Sequence, residues 1–122
     1  MGFYYNYVIL MGRLTRDPEL KVLSENFCVL NFHLAVTRPR RKSQKEERVD
    51  FIPVSIRGSF APIGNQLLTK GTPVLVWGQI EVRRYDKDNE SRWITEVSAT
   101  NFQILESLSQ DKKEVFKELE EV

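Results

Sequence analysis

Basic side chains in two clusters are the most conspicuous chemistry of this sequence. Arg38, Arg40, Arg41, Lys42, Lys45 and Arg48 fall in one short segment, and Arg83, Arg84, Lys87 and Arg92 form a second group. Such clusters are the electrostatic footprint of a protein that meets a polyanion. Solvated loops carry the same residues, and charge alone slightly favours that plainer reading. Aromatic rings among the bases shift the balance. Tyr85 follows Arg83 and Arg84 directly, and Phe51 shares a strand face with Arg57 if Ile52, Val54 and Ile56 face a core. A ring beside a cation can stack a nucleobase while its neighbour neutralises phosphate, and each stacked base is worth about 1–3 kcal/mol. The competing role for Phe51 is packing against a neighbouring strand or subunit. For Trp93, beside Arg92, stacking and core packing stand equally open.

Catalysis is poorly supplied. His33 is the one histidine and Cys28 the one cysteine, so neither a nucleophile dyad nor a zinc constellation can be assembled. Asp86 and Asp88 form a commonplace loop pair. The glycines are scattered and make no phosphate loop. No enzyme activity, metal or cofactor is expected.

The elements that must position these residues follow from a period of two. Val8, Leu10, Gly12 and Leu14 alternate with their neighbours, as do Cys28 to Val36, Phe51 to Arg57, and Val74 to Arg83. That period marks strands with one face in a core. A fifth strand fits residues 93–105. Residues 59–69 are the helical candidate of the body: Ser59 can cap it, Ile63, Leu67 and Leu68 supply an apolar stripe, and Lys70-Gly71 ends it. Pro62 is tolerable in the first turn. Asp17-Pro18 marks a turn, residues 38–48 a mobile loop, and residues 85–91 a hairpin loop. The order is strand, strand, strand, helix, strand, strand. It predicts an all-β fold, a five-stranded Greek-key OB-fold barrel with one short helix between strands 3 and 4. Pro53 requires the third strand to be bulged or edge-like there.

The chain has 122 residues, a hydrophobic fraction of 41% and a net charge of +1. Those values suit one ordinary globular domain and exclude wholesale disorder. No apolar run is long enough to span a bilayer as a helix, no secretory signal is evident, and one cysteine fits a reducing cytoplasm. The charge is uneven: residues 106–122 carry six acids against three lysines, and residues 1–105 carry 15 bases against 11 acids. Residues 1–105 are expected to be the barrel. Residues 106–122 form a charged tail in which Val115, Phe116 and Leu119 have helical spacing, and a docked helix and a frayed tail are equally open. Leu75 and Trp77 lie with Gln79 on the outward face of the fourth strand. An apolar stripe there is expected to be covered, which makes these three the candidate oligomer interface.

One ordered set of motifs is specific. Asn6-Tyr7-Val8-Ile9-Leu10-Met11-Gly12-Arg13-Leu14-Thr15-Arg16-Asp17-Pro18-Glu19 resembles the opening of bacterial single-stranded DNA-binding proteins. Asn31-Phe32-His33-Leu34-Ala35-Val36 resembles that family's second strand. Asp50-Phe51, Gly58, Leu68-Thr69-Lys70-Gly71, Gly78-Gln79-Ile80 and Thr95-Glu96-Val97 follow in order. The resemblance covers roughly residues 4–105. It implies a homotetrameric OB-fold that wraps single-stranded DNA without sequence preference, with Phe51 and Tyr85 at the family's stacking positions. It also implies that Lys70 matches a lysine of the family's motif and that residues 38–48 form a loop that clamps DNA.

The sequence departs from the family in places. Arg40 and Arg57 stand where many members carry aromatics, which exchanges stacking for salt-sensitive phosphate contact. Trp77 replaces a commonly acidic residue, which puts the usual tetramer geometry in question. The chain ends without the Gly/Pro/Gln-rich linker and the acidic tip that recruit replication and repair enzymes. A primosomal accessory protein of replication restart keeps the barrel and lacks that tail.

The expected function is binding and protection of single-stranded DNA in bacterial replication, recombination and repair, in the cytoplasm with the nucleoid. Arg13, Arg16, Arg38, Arg40, Arg57, Lys70, Arg83, Arg84 and Arg92 are the candidate phosphate contacts, and Phe51, Tyr85 and Trp93 the candidate stacking residues. The alternatives are an oligomeric adaptor of the primosomal type, with replication or repair proteins as partners, and an RNA-binding barrel.

Overall fold

A computed structural model describes residues 2–40, 42 and 46–105. The strands are β1 (Val8–Leu14), β2 (Glu19–Ser24), β3 (Phe27–Thr37), β4 (Val49–Arg57), β5 (Pro73–Lys87) and β6 (Glu90–Ile104). The helix α1 (Phe60–Leu67) lies between β4 and β5. Pairing runs β1-β5-β6-β4-β3, and β3 returns to β1 through Arg13↔Ala35 and Leu14↔Leu34. Five strands thus close a ring, and the β4–β6 pairing is parallel where the others are antiparallel. This is the expected Greek-key OB-fold with its helix between the third and fourth ring strands.

The alternation seen in the sequence is what fills the ring. Leu30, Phe32 and Leu34 of β3, Val54 and Ile56 of β4, Val74 and Val76 of β5, and Val97 and Ala99 of β6 are buried together. Fully burying an aliphatic side chain of this kind contributes about 1.5–3 kcal/mol. Helix α1 closes one end of the barrel with Ala61, Gly64 and Leu67. Gly78 is required by a close approach of β5 and β6: a Cβ there would overlap the Ser98 carbonyl oxygen. A register shift beside it, at Trp77/Gly78, lets β5 and β6 bend around the barrel.

Several local features differ from expectation. β2 was not legible; its pattern is almost wholly exposed, and it holds to the fold by pairing with β3 rather than by burial. The hairpin between β5 and β6 is far tighter than a seven-residue loop. Tyr85 and Arg92 are paired strand residues, and the turn is Asp88-Asn89, both at positive φ (53° and 65°). That geometry is a two-residue hairpin turn matched to strand twist, which Asp and Asn tolerate. Ser59 occupies the helix N-cap, but its side chain makes no capping bond. The helix ends at Leu67, before Lys70-Gly71, with the Leu68 N–H donating to the Gly64 carbonyl. β4 carries no bulge at Pro53. Its register with β3 runs through His33↔Pro53, and its pairing with β6 begins at Val54, so the proline falls where that side is an edge. The expected helical segment in residues 106–122, and Arg41 and Lys45 of the basic loop, lie outside the described residues.

Candidate nucleic-acid interface

Residues that face each other across a sheet share one of its faces. On β4 the outward set is Phe51, Pro53, Ser55 and Arg57. The register places Ala35, His33, Asn31 and Val29 of β3 opposite them. Ser55 pairs with Ser98 of β6, and Ser98 with Gln79 of β5. The same outer face therefore continues through Glu96, Ile94 and Arg92 of β6 and through Glu81, Arg83 and Tyr85 of β5. Phe51 and Tyr85 are distant in sequence and stand on one sheet face, 64% and 38% exposed.

The cations on this face are held by acids. Arg57 Nη2 lies 3.6 Å from Glu81, and Arg83 Nε donates to Glu96 Oε1 at 3.2 Å. Glu81 and Glu96 are themselves cross-strand neighbours. Arg92 pairs loosely with Glu90 at 3.4 Å. The Arg57 and Arg92 pairs are largely exposed and worth little individually, so a phosphate can compete for those two arginines, whereas Glu96 is buried and holds Arg83 more firmly. A groove crosses the face, lined by Lys21, Leu23, Val29, Asn31, Ser55, Arg57, Arg83 and Glu96. It meets a second groove at Asn31, which runs past His33 to Arg16.

Other expected residues lie elsewhere. Arg84 and Trp93 pair with each other on the opposite face of the β5–β6 hairpin. Arg84 there donates to Ser91, whose hydroxyl donates to Asp86. Arg13 Nη1 donates to the Gly71 carbonyl, and the Lys70 N–H donates to Asp17. Arg13, Arg16 and Lys70 thus gather around the end of β1, away from the hairpin. Arg38 is engaged in a two-bond pair with Asp50, 2.8 and 2.9 Å, at the mouth of the basic loop. The hydrogen bond from Arg38 holds the Asp50 carboxyl below its ordinary range, and the same bond raises the guanidinium. That geometry makes Arg38 an anchor for the loop. Arg40 is exposed and already engaged.

Leu75 and Trp77 are half-buried beside Met11 and Ile9, their partners on β1, and Gln79 is exposed at the end of the same row. Ile9 and Met11 stand 57% and 62% exposed, so the apolar stripe is wider than β5 alone suggested. Six lining residues of the groove, Lys21, Leu23, Val29, Asn31, Ser55 and Glu96, were not among the site residues expected from the sequence. Lys21 and Leu23 could not be, because β2 itself was not legible. Ser55 was available from the period-two spacing with Phe51 and Arg57.

A Greek-key barrel with one outer face of exposed rings, arginines and a groove defines an oligonucleotide-binding OB-fold. The chain belongs to the single-strand binding protein family, whose model matches residues 5–105. It is 41% identical over 106 residues to single-stranded DNA-binding protein 2 of Streptococcus agalactiae, covering 87% of this chain and 81% of that one. It is 40% identical over 105 residues to the single-stranded DNA-binding protein of Treponema pallidum, covering 84% and 59%. The fold matches that in the solved structure "Plasmodium falciparum SSB complex with ssDNA", with a TM-score of 0.79 at 21% identity, over 87% of this chain and 99% of that chain.

Proposed function

We propose that this protein binds single-stranded DNA on the β3–β4–β6–β5 face and protects it during replication, recombination and repair in a bacterial cytoplasm. The observation that carries the reading is the placement of Phe51 and Tyr85 on one face with Arg57, Arg83 and Arg92. Each ring stacks a base, and stacking tolerates any sequence because every base has a π-face. Arg57 and Arg92 exchange their acidic partners for phosphates, Arg83 meets the strand while still held by Glu96, and counterions are released from the strand. Arg16, Arg13 and Lys70 extend the path at the far end of the grooves, and Arg40 stands at the loop. The action is passive, as in a family of non-enzymatic DNA-binding proteins.

The stripe of Ile9, Met11, Leu75 and Trp77 is the proposed contact between copies, with a homotetramer as the expected assembly. Two exposed and two half-buried apolar side chains in one patch on the paired strands β1 and β5 favour burial against a second molecule. Titration of the protein with labelled oligo-dT at several salt concentrations tests the binding. Saturable binding that weakens steeply with salt is expected, and absence of binding at low salt contradicts it. Sedimentation of wild type and Met11→Glu tests the assembly. A smaller particle in the variant is expected, and a wild-type monomer at micromolar concentration contradicts the tetramer.

A further inference from the structure

We infer that residues 2–7, ahead of β1, are an aromatic arm that stacks nucleobases where the DNA strand passes beyond β5, with Tyr5 as its fixed platform. The inference rests on the binding face proposed above and lengthens it. Phe3, Tyr4 and Tyr5 are 104%, 87% and 91% exposed, and Tyr7 is 53% exposed. No other run of that length among the described residues holds more than one such ring. An exposed cluster of this kind marks an interaction site. The arm is tied to β5. Asn6 Nδ2 donates to the Ile80 carbonyl at 2.7 Å, and the Ile80 N–H donates to Asn6 Oδ1 at 2.9 Å. One side chain thus takes both backbone groups of Ile80 and holds the arm beside β5, past the last β1–β5 pair, Val8↔Gly78. The Tyr5 and Tyr7 rings meet edge to face, with centroids 6.4 Å apart and planes at 66°, so both project from one side of the arm.

That side is the outer one. Alternation carried back from Ile9, the partner of Trp77, assigns Tyr7 and Tyr5 to the outer row of β5, which continues through Gln79, Glu81, Arg83 and Tyr85. The binding face therefore extends past β5 onto the arm. Residues 2–7 carry no charged side chain, so bases stacked there leave their phosphates to the arginines of the sheet. The chemistry of the rings favours bases over a second copy of the chain. The stripe proposed between copies, Ile9, Met11, Leu75 and Trp77, contains no tyrosine. A tyrosine sealed into such a contact must find a partner for its hydroxyl. Stacked on a base, it covers its ring face and keeps the hydroxyl in water. Every base has a π-face, so the arm adds affinity without sequence preference.

The test titrates the full chain with oligo-dT across a salt series. Phe3→Ala/Tyr4→Ala/Tyr5→Ala removes only exposed rings, so the fold should tolerate it. It is expected to weaken binding at least about fivefold. The salt slope should stay unchanged, because no cation is lost. Tyr4→Phe/Tyr5→Phe keeps the rings and should bind like wild type. Oligo-dT carrying 5-iodouracil should form a photocross-link to Tyr5. Wild-type affinity in the triple-alanine variant, or cross-links confined to residues outside 2–7, overturns the inference and leaves the sheet face standing. A smaller particle in sedimentation of the triple-alanine variant also overturns it and assigns the arm to the contact between copies. Failure of the wild type to bind at all sinks the reading of the face and the arm together.

Discussion

The two halves of β5 obey the same alternation and meet different fates. From Pro73 to Gly78 every second residue is buried, with Val74 and Val76 fully inside the barrel. From Gln79 onward the strand stays paired with β6, yet Ile80 and Val82 are 44% and 58% exposed. Nothing in the side chains distinguishes Val76 from Val82. What differs is the second layer: β3, β4 and α1 stand opposite the first half, and no element among the described residues stands opposite the second. The first half is therefore scaffold, and the second is a projecting hairpin whose two faces are both free to bind. A strand's pattern shows which residues share a face; the rest of the fold decides whether that face is core or surface.

Substitutions can break or sharpen this contrast. Ile56→Ala, in the barrel beneath β5, should cost about 2–5 kcal/mol of stability in chemical denaturation, because it empties fully packed space. Arg57→Ala with Arg92→Ala, whose ion pairs are the more exposed ones on the face, should leave the melting temperature nearly unchanged and weaken DNA binding. Each arginine that no longer neutralises a phosphate should make the slope of log affinity against log salt shallower by about 0.7. Val82→Ala should change stability by no more than about 0.5 kcal/mol, since its side chain has no layer to pack against. The smallest effect concerns the loop anchor. Asp50 titrates below an ordinary carboxylate, so its pair with Arg38 is intact above the usual range and is lost as pH falls through the lowered value. A carboxyl NMR titration should show that lowered midpoint in wild type, and Arg38→Ala should return it to normal.

Much of the fold was legible because the barrel strands alternate cleanly and the helix sits between them in order. β2 was not, since Glu19–Ser24 buries almost nothing and is a strand only through its partner on β3. Of the candidate site, the rings were legible: Phe51 and Tyr85 were singled out from strand parity and flanking bases, and the register brings them to one face. The parity that separates Tyr85 from Arg84 and Trp93 was hidden by reading residues 85–91 as a loop. Once Asp88-Asn89 is the whole turn, alternation assigns Arg83, Tyr85 and Arg92 to one face and Arg84 and Trp93 to the other. The ion pairs of Arg57 and Arg83 depend on cross-strand neighbours that spacing along the chain does not reveal.

The most direct test of the binding face is the affinity of Phe51→Ala/Tyr85→Ala for oligo-dT, measured beside wild type across a salt series. Both rings stacking bases predicts a loss of about 2–6 kcal/mol with the salt slope unchanged, because the arginines still meet the phosphates. An affinity equal to wild type would contradict the assignment of this face.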